Sequence, residues 1–193
     1  MKRARRSTAA VVYITGLSGA AVMGTFALSR VGGSGALLWT FIILTGLGMV
    51  AHAFPIQGSR HQAYQVTLPF IITAAALFSA AQLVAFVVLI HLAEQARLRR
   101  PLHIQWFNVC NYFLSAAVAA AFFNRAIALL PEGAIGQVAA AMAAGCTFIV
   151  LNRLILAGAL WLARGLRAAA GLGSLGIGLT ILWETGVTGG LFG

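Results

Sequence analysis

Apolar residues run along this chain in long unbroken stretches broken by short polar or basic knots, with no alternation of the kind that half-buried surface elements show. Stretches at about 9–29, 35–53, 66–96, 106–128, 135–163 and 175–193 each predict helix. The connection RVGGSG at 30–35 is short and glycine-rich, so the first two helices form a hairpin. Pro55 ends the second, because proline cannot continue the helical hydrogen-bond ladder and displaces the residue before it. His52, at that end, reads as an interfacial residue rather than a ligand. The polar loop IQGSRHQAYQ follows.

The stretch 66–96 is the one on which the topology turns. As a single helix it would be ~46 Å long, well over the ~30 Å hydrocarbon core of a bilayer. Small residues, Ser79, Ala80 and Ala81, sit at its middle, and a basic knot, ARLRRPLHIQ, follows it. We therefore expect two arms, 66–78 and 79–96, turning near Phe78-Ser79. The first arm is too short for a comfortable crossing, so part of it is expected to be irregular and shielded by protein.

Composition turns these helices into membrane helices. Of 193 residues, 61% are hydrophobic and 8% are charged, which no water-soluble domain of this length shows. The fold class expected is an all-α polytopic transmembrane bundle of six to seven segments, a single membrane domain over 1–193. Thirteen Lys and Arg against three acids give a net charge of +10. These cations cluster at helix ends, so they set orientation and meet anionic lipid; no nucleic-acid partner is expected. Lys2, Arg3, Arg5 and Arg6 are expected to hold the N-terminus on the cytoplasmic side, and the two-arm reading returns Arg97, Arg99 and Arg100 to that side as a cytoplasmic anchor. The first apolar run is too long for a signal peptide and reads as a retained span. Cys110 and Cys146 fall within apolar runs, so a disulfide is not expected. The tail, with Glu184 and many glycines, reads as a segment completed by further chain or by a partner.

Candidate chemistry is sparse. There is no Walker loop, GxSxG, HExxH or CxxC, and three acids leave little for a paired-carboxylate mechanism, so no enzyme activity and no cofactor are expected. Intramembrane polar groups are the remaining candidates, since they are expensive to bury and are usually paired. His91 and Glu94 share a helical face at a spacing of three, and Asn108 and Asn111 share one on the next long helix. With Asn152 and Arg153 they form the candidate intramembrane polar network, in which Glu94 either pairs with Arg153 or meets cytoplasmic water while Arg153 snorkels. His91, Glu94 and His103 have the types of a metal set, but that requires 97–103 to fold back, and no metal site is expected. Trp39, Trp106, Trp161 and Trp183 read as an interfacial belt.

The succession Phe54-Pro55, a polar linker, the long run with Glu94 near its end, Arg99-Arg100-Pro101, Phe107-Asn108 and the stretch around Leu151-Asn152 resembles the multi-span sensor region at the N-terminus of bacterial HD-GYP phosphodiesterases and GGDEF diguanylate cyclases. The resemblance covers about residues 50–185. It implies a membrane input module that relays a signal through its last helix to a cytoplasmic output domain, usually as a homo-oligomer. Two other roles fit the composition: the substrate-binding membrane subunit of a vitamin-type transporter, with a partner membrane subunit, and a structural subunit of a larger membrane complex.

Overall fold

The computed structural model describes residues 8–31, 35–54, 56–57, 63–64 and 66–164. The segment expected at 175–193 and the N-terminal cations lie outside them. Among the described residues six helices follow one another: α1 (Thr8–Val31), α2 (Leu38–Ala53), α3 (Leu68–Leu77), α4 (Ala80–Leu98), α5 (Leu102–Leu129) and α6 (Ala134–Arg164). Between α2 and α3, two-residue strands β1 (Ile56–Gln57) and β2 (Ala63–Tyr64) pair antiparallel, Ile56 opposite Tyr64. Among the described residues α1, α4, α5 and α6 are long and apolar enough to cross a membrane. The chain is an α-helical membrane protein. Of the six to seven crossings expected, four helices have the length; α2 and α3 have 16 and 10 residues.

The chain divides into two compact units, Met1–Thr15 with Val150–Gly193, and Gly16–Ile149. In the first, the Tyr13 hydroxyl donates to the Ile155 carbonyl at 2.9 Å. Its ring fills the space that Gly158 leaves, for a Cβ there would stand 2.9 Å from the Tyr13 oxygen.

In the second unit, the stretch 66–96 is two helices. Phe78 and Ser79 are extended between them, and Ser79 opens α4 with a capping box: the Gln82 amide N–H donates to Ser79 Oγ at 3.3 Å and the Ser79 N–H to Gln82 Oε1 at 3.1 Å. The same Gln82 side chain accepts from Ala36 N–H at 2.9 Å and donates to the Ala36 carbonyl at 2.8 Å. It thus satisfies backbone ahead of α2 as well as at the start of α4. This contact also fixes the start of α2 at Leu38 rather than 35, since Gly35, at φ +87°, turns the chain into it.

These contacts define directions. Ala36 and Phe41, at the start of α2, meet Gln82 and Phe78, while His52, at its end, meets Thr67 and Glu94. Helices α2 and α4 therefore run parallel, with α3 antiparallel to both, and the two arms of 66–96 begin and end at the same end of the unit. The core between them is Ile71, Ala74, Phe78, Leu83, Phe86 and Ile90, closed by Phe113, Ala116 and Ala120 of α5. Alanines at the contacts let backbones approach, which matters in lipid, where packing rather than water exclusion holds helices together. Gly48 does the same against the Phe86 ring: a Cβ there would stand 2.8 Å from Phe86 Cε2.

Helix α5 starts at Leu102, earlier than the expected 106. Arg99 takes the left-handed conformation (φ 48°) at the end of α4 and Pro101 opens α5, accepting from Ile104 N–H at 2.9 Å and Gln105 N–H at 3.2 Å. The basic knot is a tight turn, and this places Gln105 within one turn of the α5 start.

Candidate functional site

Polar side chains in the second unit gather where α2 and α4 end and α3 and α5 begin. Helix α2 contributes His52, 1% exposed; the turn before α3 contributes Thr67; α4 contributes His91 and Glu94; α5 contributes Gln105 and Tyr112. Spacing explains the selection: His91 and Glu94 are one turn apart, and Gln105 and Tyr112 are seven residues apart, so each pair shares a helical face.

The geometry is specific. One nitrogen from each histidine and one Glu94 oxygen lie within 4.8 Å of one another. His91 Nδ1 is 2.8 Å from the Val87 carbonyl oxygen. A carbonyl only accepts, so in neutral His91 the proton sits on Nδ1 and Nε2 carries the lone pair. His52 Nδ1 lies 3.2 Å from Thr67 Oγ1, and its Nε2 lies 3.6 Å from Glu94 Oε2, within ion-pair reach but beyond a hydrogen bond. Gln105 Nε2 donates to the His91 carbonyl at 2.6 Å and to Glu94 Oε2 at 3.3 Å; Arg100 Nη2 holds the other carboxylate oxygen at 3.2 Å. The two imidazoles are 4.6 Å apart, and the Tyr112 ring stands edge-on to both, at 5.3 Å from His52 and 4.8 Å from His91.

The buried nitrogens His52 Nε2 and His91 Nε2, and Gln105 Oε1, have no hydrogen-bond partner among the described residues. Buried polar atoms in native proteins are nearly always satisfied, and two bare imidazole nitrogens beside one carboxylate ask for an explanation.

The α4–α5 turn is bound to this cluster. Besides the Arg100–Glu94 pair, Gln95 Nε2 donates to the Arg100 carbonyl at 2.8 Å, and Arg97 donates to the Ala53 carbonyl while its guanidinium lies 4.3 Å from the centre of the Phe54 ring. Arg97 thereby caps the C-terminal end of α2, where a cation is favoured by the helix dipole.

Comparison of the chain with family models, with curated proteins and with solved structures finds no match. The assignment of a role rests on the site itself.

Of the residues expected in a polar network, His91 and Glu94 meet. The cation beside Glu94 is Arg100, whereas Asn152 and Arg153 belong to the other unit, where Arg153 is exposed. Asn111 is buried and Asn108 half-buried on α5, while Gln105 is the α5 side chain that donates to Glu94. His52 corrects the interfacial reading: it is a core residue, and it, rather than His103, is the third ligand-type side chain beside His91 and Glu94. No local signal joins His52 to His91; the Gln82–Ala36 bridge and the parallel course of α2 and α4 do.

Proposed function

We propose that this chain is an integral-membrane input module in which a stimulus at the His52–His91–Glu94 cluster changes the packing of the α4–α5 turn and is passed to a cytoplasmic output domain or partner. The observation that carries the reading is the direct attachment of a buried ionisable cluster to the basic turn through Arg100 and Glu94. Ionisable side chains within a membrane bundle are costly and as a rule serve function. A carboxylate held by a half-exposed guanidinium on one side and by buried histidine and glutamine on the other has partners of unequal strength, so a change at the histidines redistributes its contacts. The resemblance of 50–185 to sensor regions of cyclic di-GMP signalling proteins, which no family model matches, implies the same role.

In this reading α2 and α3 are short segments packed against α4 and α5 within the bilayer, α2 with an apolar face open to lipid, and with 175–193 they bring the number of membrane segments to six or seven. The N-terminus and Arg97 to Arg100 face the cytoplasm of a bacterial inner membrane, and the module works as a homo-oligomer or with a partner membrane subunit.

The test is a fusion of a diguanylate cyclase domain after Gly193, assayed in membranes at matched abundance. Glu94→Gln and His91→Gln are each expected to shift cyclic di-GMP output away from that of the unsubstituted fusion. Output indistinguishable among the three contradicts the reading.

A further inference from the structure

We propose that His52, His91 and Glu94 bind one divalent first-row transition cation of the Zn2+ class. The inference rests on the geometry of the cluster and not on the input role, so binding and signalling stand or fall separately.

Two imidazoles and a carboxylate are the donor set that Zn2+ and its neighbours accept, with a fourth position open to water. Ligands ~2.0–2.1 Å from a tetrahedral ion stand ~3.3 Å from one another. The His52 Nε2 to Glu94 Oε2 separation is 3.6 Å, and no pair in the set exceeds 4.8 Å, so small side-chain rotations close the site. His91 already has the tautomer that coordination requires, its Nδ1–H directed to the Val87 carbonyl and Nε2 bare. His52 reaches the same state when its Nδ1–H donates to Thr67 Oγ1.

The surrounding contacts are those expected around a metal site. Metal-bound histidines pass their second N–H to a carbonyl, carboxylate or hydroxyl, and metal-bound carboxylates are themselves hydrogen-bonded. Here the Val87 carbonyl and Thr67 serve the histidines, Gln105 Nε2 and Arg100 serve Glu94, and Gln105 Oε1 is left to accept from a bound water. Coordination thus gives partners to the orphaned buried nitrogens together.

The purified full chain, stripped with chelator, is titrated with Co2+ followed by visible absorption, then with Zn2+ in competition. We expect one Co2+ per chain with the intense d–d bands of a four-coordinate ion, displaced by Zn2+. The bands are lost in His91→Ala and Glu94→Gln and retained in His103→Ala. Thr67→Val, which keeps the side-chain shape and all three ligands, weakens binding about 10- to 100-fold. X-ray absorption of the Zn2+-loaded unsubstituted chain reads the ligands without any variant, and two imidazoles with one or two oxygen ligands are expected. Absence of stoichiometric binding, a first shell without histidine, or bands that survive in both His91→Ala and Glu94→Gln overturns the proposal.

Discussion

Thr67 Oγ1 stands 3.2 Å from His52 Nδ1, joining the turn that opens α3 to the last turn of α2. Because Glu94, near the end of α4, meets the same histidine, both ends of the stretch 66–96 lie together. Cysteines at Val66 and Leu98, both exposed, are therefore expected to react with a membrane-impermeant thiol reagent from one side of the membrane. The background is made by replacing Cys110 and Cys146, both free thiols. Labelling of the two positions from opposite sides would restore a single crossing.

The hinge between α3 and α4 rests on Gln82. Ser79→Ala removes one cap bond and is expected to cost about 1 kcal/mol. Gln82→Ala strips Ser79 N–H and both Ala36 backbone groups of their partner and is expected to cost about 2–3 kcal/mol. Thermal unfolding in mild detergent checks the order.

Two glycines of α2 separate packing from propensity. Gly48→Ala drives a methyl into Phe86 and is expected to cost about 1–3 kcal/mol. Gly46 has nothing within 4 Å of a Cβ, so Gly46→Ala is expected to be neutral or stabilising by up to about 1 kcal/mol. The same unfolding measurement distinguishes them; equal effects would place α2 elsewhere.

Glu94 and Arg100 form an unequal pair. The Arg100 side chain is 41% exposed and the Glu94 side chain 3%. Arg100→Gln leaves the buried Glu94 carboxylate without its cation and is expected to cost about 1–3 kcal/mol, less than for a fully buried pair because the guanidinium is itself partly exposed. Glu94→Ala leaves Gln105 Nε2 and His52 without their buried partner and is expected to cost about 2–4 kcal/mol. Unfolding of both single variants measures the difference.

Five apolar runs cover the six described helices, and the excess length of 66–96 reveals the break at Phe78-Ser79 that divides one run into α3 and α4. Ser79 reads in the sequence only as a small residue at the turn; its capping box with Gln82 comes from the structure, as does Gln82's reach to Ala36, which depends on the course of α2. The site was half visible. His91 and Glu94 lie one turn apart on a single helix, which spacing reveals; His52, Gln105 and Arg100 join them only through packing and the left-handed turn at Arg99. Long polar side chains near helix ends have two environments open to them, water or the bundle, and local sequence does not choose between these.

The central claim is that the buried cluster governs the α4–α5 turn. Its most direct test is the distance between spin labels at Val66 and Leu102, both exposed, measured by double electron–electron resonance in the unsubstituted chain and in Glu94→Gln. A shifted or broadened distribution in Glu94→Gln is the predicted result. Superimposable distributions would show that the turn keeps its place without the charge at Glu94, and would contradict the account.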